Sequence, residues 1–115
     1  MDQIAKRLSS RDCAKVLKAL AGGIRLEIIQ CLLKGESSVS EIARKIGKKH
    51  SQVSHHLGVL KNSGLVVYKK EGKFVIYQVH PVLYQRFKGS RSKNVLDFEC
   101  CSIKFRDRNL EENEE

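Results

Sequence analysis

Ser51, Gln52, Ser54 and His55 fall in the stretch HSQVSHHLGVLKN, between His50 and Asn62, whose apolar members Val53, Leu57 and Leu60 recur at helical spacing. At ~100° per residue, Ser51 and His55 lie nearly opposite Val53, with Gln52 and Ser54 on the flanks and His56 nearer the buried edge. Short hydroxyl, amide and imidazole groups on the outer face of such a helix carry the chemistry that reads base edges in the major groove. An amide can pair with adenine, and a serine with a base or phosphate. Lys48 and Lys49 precede the helix and Lys61 ends it. The first two oppose the helix dipole, which favours anions at an N-terminus, and phosphate binding would resolve that conflict. His55 is therefore favoured over His56 as a contact. The three histidines do not suit a metal, because His55 and His56 are adjacent and diverge, and His50 to His55 is one residue longer than the helical repeat of four.

Thiols are the second chemistry. Cys13 and Cys31 sit within apolar stripes, where a free cysteine behaves as a small hydrophobe. Cys100 and Cys101 are adjacent, with Cα atoms ~3.8 Å apart, closer than an unstrained bridge allows. One of the pair can instead bond Cys13 or Cys31 across a dimer interface, or both can engage a soft metalloid or reactive sulfur species. The four cysteines are thus candidate thiol sensors. No zinc-ribbon or CxxC spacing is present, no cofactor is expected, and no base stands beside a nucleophile, so an enzyme is not expected.

These groups need elements to hold them. Cys13, Val16, Leu17 and Leu20 mark a first helix, which Ile4 and Leu8 can extend backward. After Gly22-Gly23, Ile24, Ile28, Ile29, Leu32 and Leu33 form the broad stripe of a buried second helix ended by Gly35. Ser38-Val39-Ser40-Glu41 fits a capping box opening a third helix to Ile46, and Gly47 permits the turn into the fourth. Gly64 and Leu65 suit a Schellman exit from that fourth helix, whereas Gly58 inside it costs ~1 kcal/mol relative to Ala unless another backbone comes close there. Residues 65–70 and 73–79 predict two strands joined at Glu71-Gly72, a wing whose tip carries Lys69, Lys70 and Lys73 for phosphate contacts that position the protein without specifying sequence. Each of these lysines has a simpler reading as a solvated charge. Pro81 stops the second strand, a short helix is expected over residues 82–87, and Gly89 to Asn94 predicts a linker. Beyond it the apolar phase flips at Cys100-Cys101, predicting one strand with a bulge.

The 115 residues hold one modest domain, with 22 Lys and Arg against 13 Asp and Glu. Because Glu111, Glu112, Glu114 and Glu115 crowd the C-terminus, the remainder is more basic than the formal net charge of +9. That surplus suits a polyanion, since displaced counterions drive binding. No apolar run approaches a membrane span or signal peptide, so a cytoplasmic protein without membrane contact is expected, its thiols reduced at rest.

The segments KALAGGIRLEIIQCLLKGE, SEIARKIG, SQVSHHLGVLKNSGLV and the wing ending IYQVHP resemble the ArsR family of winged-helix repressors over about residues 12–87. The resemblance implies a mainly α fold with a β-hairpin, a winged helix-turn-helix, in a homodimer that binds double-stranded DNA at a palindromic operator and releases it for an inducer. It also implies that the first helix and the C-terminal element form the dimer contact, which here points to Val16, Leu17 and Leu20 with help from residues 95–105. Metal-sensing relatives carry Cys-x-Cys where Ser38 and Ser40 stand, and hydroxyls are poor ligands for soft ions. Neither that site nor the family's Asp and His interface site is expected, since Asp97 and His80 are isolated. Relatives often begin an Asp-Pro pair at position 22, where Gly22-Gly23 stands, and have an apolar residue and a Ser cap at Lys48 and Lys49.

The expected organisation is a DNA-binding and dimerisation domain over residues 1–87, a linker and C-terminal extension with the cysteine pair over 88–110, and an acidic tail over 111–115. The expected function is sequence-specific transcriptional regulation with a small inducer of unspecified identity. The competing functions are a winged-helix protein-assembly module and a constitutive DNA binder that senses nothing.

Overall fold

The computed structural model describes residues 10–81, 83, 95–98 and 100–106. Four helices, α1 (Ser10–Leu20), α2 (Gly23–Lys34), α3 (Val39–Ile46) and α4 (His50–Asn62), surround a small antiparallel sheet. Its strands are β1 (Ser37–Ser38), β2 (Val66–Glu71) and β3 (Phe74–Val79), in the order β1-β3-β2. A separate hairpin follows, β4 (Val95–Asp97) with β5 (Ser102–Lys104). This is a winged helix-turn-helix, with α3 and α4 as the paired helices and β2-β3 as the wing.

The apolar stripes define the core. Ile28, Ile29 and Leu32 of α2 meet Ile42 of α3 and Val53, Leu57 and Leu60 of α4, and all are buried. Burying each such side chain contributes roughly 1.5–3 kcal/mol. From α1, Cys13, Val16, Ala19 and Leu20 join the same core. The possible extension of α1 through Ile4 and Leu8 lies outside the described residues, as do nearly all of the expected short helix over residues 82–87, the expected linker and the acidic tail.

Local chemistry fixes the ends of α3 and α4. The Ser38 hydroxyl accepts from the Glu41 N–H at 3.2 Å while the Glu41 carboxylate accepts from the Ser38 N–H at 3.0 Å, completing the capping box. At the exit of α4, the Leu65 N–H donates to the Leu60 carbonyl and the Gly64 N–H to the Lys61 carbonyl, both at 3.0 Å. Gly64 has φ +86°, the left-handed conformation this Schellman turn demands.

Three expectations are corrected. The wing turns at Gly72-Lys73, because Glu71 still pairs with Phe74, and Gly72 at φ +62° supplies the left-handed residue of the tight turn. The sheet has a third strand: Ser37 and Ser38 pair with Tyr77 and Ile76. The C-terminal segment is a hairpin and not one bulged strand. Leu96 pairs with Ile103, and the chain reverses between Asp97 and Ser102, which flips the apolar phase just as a bulge would. Leu96, Phe98 and Phe105 are buried in the same core as α1 and α2, so this segment completes the body of the fold.

Candidate nucleic-acid interface

α4 presents two opposed faces. Val53, Leu57 and Leu60 each have 0% exposure, whereas Ser51, Gln52, Ser54 and His55 are all exposed. The interior anchors fix the helix rotation, and the rotation holds the polar strip toward solvent. His50 opens the same helix exposed, with Lys48 and Lys49 exposed before it and Lys61 exposed at its end.

Gln52 of the strip and the neighbouring His56 are engaged within the chain. The Gln52 side-chain oxygen accepts from the Lys49 N–H at 3.4 Å, a long bond that steadies the helix start in place of a serine cap. That bond must yield for Gln52 to present both amide groups to a base. His56 is half-buried, and its Nδ1 lies 3.1 Å from an Arg25 guanidinium nitrogen of α2. Burial first, then the Arg25 charge, depresses its pKa. His56 therefore positions α4 against α2, leaving His55 as the outward imidazole. A Cβ on Gly58 would meet nothing within 4 Å, so no helix neighbour explains that glycine.

On the wing, Lys70 and Lys73 stand exposed near the turn. Lys69 differs: its ammonium lies 3.3 Å from Glu36 and 3.4 Å from Glu71, and these pairings raise its pKa. Its charge is offset locally, which weakens its case as a phosphate contact. Phe74, 59% exposed next to Lys73, is an apolar tip that sequence reasoning missed. The one available signal was an aromatic directly after the turn. Lys61 lies over the Tyr68 ring at 5.0 Å, tying the end of α4 to the wing.

The cysteines divide differently from expectation. Cys31 is buried, and desolvation raises its pKa, so it is an inert core thiol. Cys13 is buried but bonded to Cys100, with Cα atoms 6.5 Å apart. The expectation of four reduced thiols is corrected on this point, and the bond lies within one protomer. It forms because the β4-β5 hairpin docks its turn on α1. Cys101 remains a free, exposed thiol, its sulfur 3.7 Å from that of Cys100. Val16 and Leu20 are 1% and 3% exposed, consumed by the protomer's own core. Of the three expected dimer residues on α1, only Leu17, 37% exposed, remains available to a partner, and α2 adds Leu26 at 38%. Among the described residues no group of three or more His, Cys, Asp or Glu could hold a metal ion, and no helix is long and apolar enough to cross a membrane.

Comparison with known proteins bears on this geometry. Residues 22–68, spanning α2 through the first half of β2, match the family described as bacterial regulatory protein, arsR family. The chain is 45% identical over 69 residues to the cadmium resistance transcriptional regulatory protein CadC homolog of Staphylococcus aureus. That match takes in 59% of this chain and 57% of the relative, so the chain spans little more than half the relative's length. Among solved structures, HlyU from Vibrio cholerae superposes with a TM-score of 0.60 at 32% identity, over 70% of this chain and 96% of that one. A homodimeric winged helix-turn-helix DNA-binding domain from Mycobacterium bovis, described as a possible ArsR-family transcriptional regulator, superposes with a TM-score of 0.58 at 29% identity, over 74% of this chain and 95% of that one.

Proposed function

This chain belongs to the ArsR family of bacterial regulatory proteins, and we propose that it is a cytoplasmic, dimeric repressor that binds a palindromic operator. The observation that carries the reading is the exposed strip of Ser51, Gln52, Ser54 and His55 opposite three fully buried anchors of α4. Such a strip reads base edges, with Lys48, Lys49, Lys70 and Lys73 gripping the phosphates on either side. A two-fold dimer sets two recognition helices one DNA turn apart, ~34 Å, and the operator mirrors that symmetry. Leu17 and Leu26 supply exposed apolar surface on α1 and α2 for the dimer contact.

The thiols supply the release. The Cys13–Cys100 bond joins α1, on which the dimer contact is proposed to lie, to the C-terminal hairpin. In a reducing compartment such a bond acts as a redox signal more readily than as a permanent staple. Its formation by a two-electron oxidant such as a peroxide, which takes the electrons and the two thiol protons and leaves as water, or engagement of Cys100 and Cys101 by a thiol-reactive inducer, shifts α1 and loosens the dimer's fit to DNA. The protein acts by binding and not by catalysis.

Selection of bound duplexes from a random library tests the DNA reading. A palindrome is expected, and recovery of no preferred sequence, with no steep salt dependence, would leave only a protein-assembly role. Operator affinity of the reduced and the bonded protein tests the release. Equal affinities would reduce the chain to a constitutive binder.

A further inference from the structure

Arg25 lies at the start of α2, yet no carboxylate among the described residues pairs with it. Its guanidinium is nonetheless held in place. Nε donates to the Ala19 carbonyl, a second nitrogen lies 3.5 Å from the Ala21 carbonyl, and the third meets His56 of α4 at 3.1 Å. Gly22 makes room for this, since a Cβ there would sit 3.1 Å from the guanidinium carbon. With five N–H donors and three engaged, two remain to be satisfied. They have a groove of about 560 Å³ beside them, lined also by Lys15 and Lys18 of α1, by Val59 and Asn62 of α4 and by Ser63 just after it. Both lysines are exposed.

Resting on the DNA-binding reading, we propose that Lys15, Lys18 and Arg25 form a phosphate clamp that takes the operator backbone beyond the base-reading strip. Continuity with the strip favours a DNA phosphate. His55, Val59 and Asn62 follow one another at helical spacing along α4, so the groove begins where the base-reading face ends. Three cations with no acidic partner among the described residues, two of them on flexible stems and one a fixed planar fork, suit a tetrahedral anion. The groove is largely open to solvent, which accommodates a continuous polymer. Lys15 also lies on the flank of α1 away from Leu17.

The test compares wild type with Lys15→Gln/Lys18→Gln, using Lys34→Gln as a charge control, on a selected operator with and without flanking duplex. The double variant should bind all sequences more weakly and show a log–log salt slope shallower by about 1.8, the value for two lost phosphate contacts. Wild type should gain affinity from the flanks, and the double variant should gain none. Arg25→Lys should repeat the loss while shifting the His56 ring resonances. A slope and flank dependence equal to those of wild type would overturn the clamp with DNA binding intact. Failure of wild type itself to bind any duplex would overturn the regulator reading instead. Titration with inorganic phosphate completes the test. Saturation that depends on Lys15 and Lys18, with an unchanged operator slope, would assign the groove to a free anion and refute the backbone role.

Discussion

Reducing the Cys13–Cys100 bond is the perturbation whose size follows most directly from the structure. The bond closes a loop with a sequence separation of 87 residues. Removing that constraint from the unfolded chain lowers stability by about 4.5 kcal/mol on the chain-entropy account. Against a typical total of about 5–15 kcal/mol for a small domain, this is a third or more of the whole. It corresponds to a fall in Tm of roughly 15–20 °C. The reduced protein should still fold, because Leu96, Phe98 and Phe105 remain buried and hold the hairpin against α1 by apolar contact. Urea unfolding of the oxidised and reduced wild type, followed by circular dichroism, measures the difference without disturbing the core. Cys101→Ser, which leaves the bond intact, should behave as the oxidised protein does. A difference below about 1 kcal/mol would refute the reasoning, since it would mean that the loop ends stay together without the bond.

Gln52→Ala and His55→Ala should each cost about 1–3 kcal/mol of operator affinity and relax preference at one position per half-site, whereas Lys73→Ala should weaken all duplexes alike, as competition binding on single-base operator variants will show. The His56 pKa is depressed in the fold, so the native state binds its proton less readily than the unfolded chain. The resulting stability is present above the ordinary value of 6.5 and is lost as pH falls through the lower folded value. Unfolding midpoints across that range should show the decline, and His56→Gln should flatten it. Gly58→Ala should raise stability by about 1 kcal/mol in urea unfolding, because the added methyl meets no protein atom within 4 Å. Ser38→Ala should lower stability by about 1 kcal/mol through loss of the α3 cap, measured in the same way.

The exit of α4 was legible because Gly64 with Leu65 carries its own chemistry, whereas Gln52 reaching back to Lys49 at the start was seen only in the structure. Its two faces followed from the spacing of Val53, Leu57 and Leu60. What escaped the sequence depends on contacts between distant segments. A two-residue strand of serines has no periodicity, and Ser37-Ser38 becomes a strand only because β3 runs beside it. The flip at Cys100-Cys101 was visible, but a reversal and a bulge leave the same alternation, and only the pairing of Leu96 with Ile103 separates them. The partner of Cys100 depended on where the hairpin docks. Arg25 gave no signal, because its bonds run to carbonyls and to a histidine far along the chain. Lys69 looked like its neighbours until Glu36 was brought beside it.

Ser38 belongs to two elements at once: its side chain starts α3, and its backbone pairs with Ile76 of β3. The wing and the paired helices are consequently riveted at their shared root, and neither can swing without dragging the other. In the proposed dimer, adjustment to a curved or unevenly spaced duplex would come from one protomer tilting against its mate. Any signal that stiffens that hinge between subunits would then act on both half-sites together.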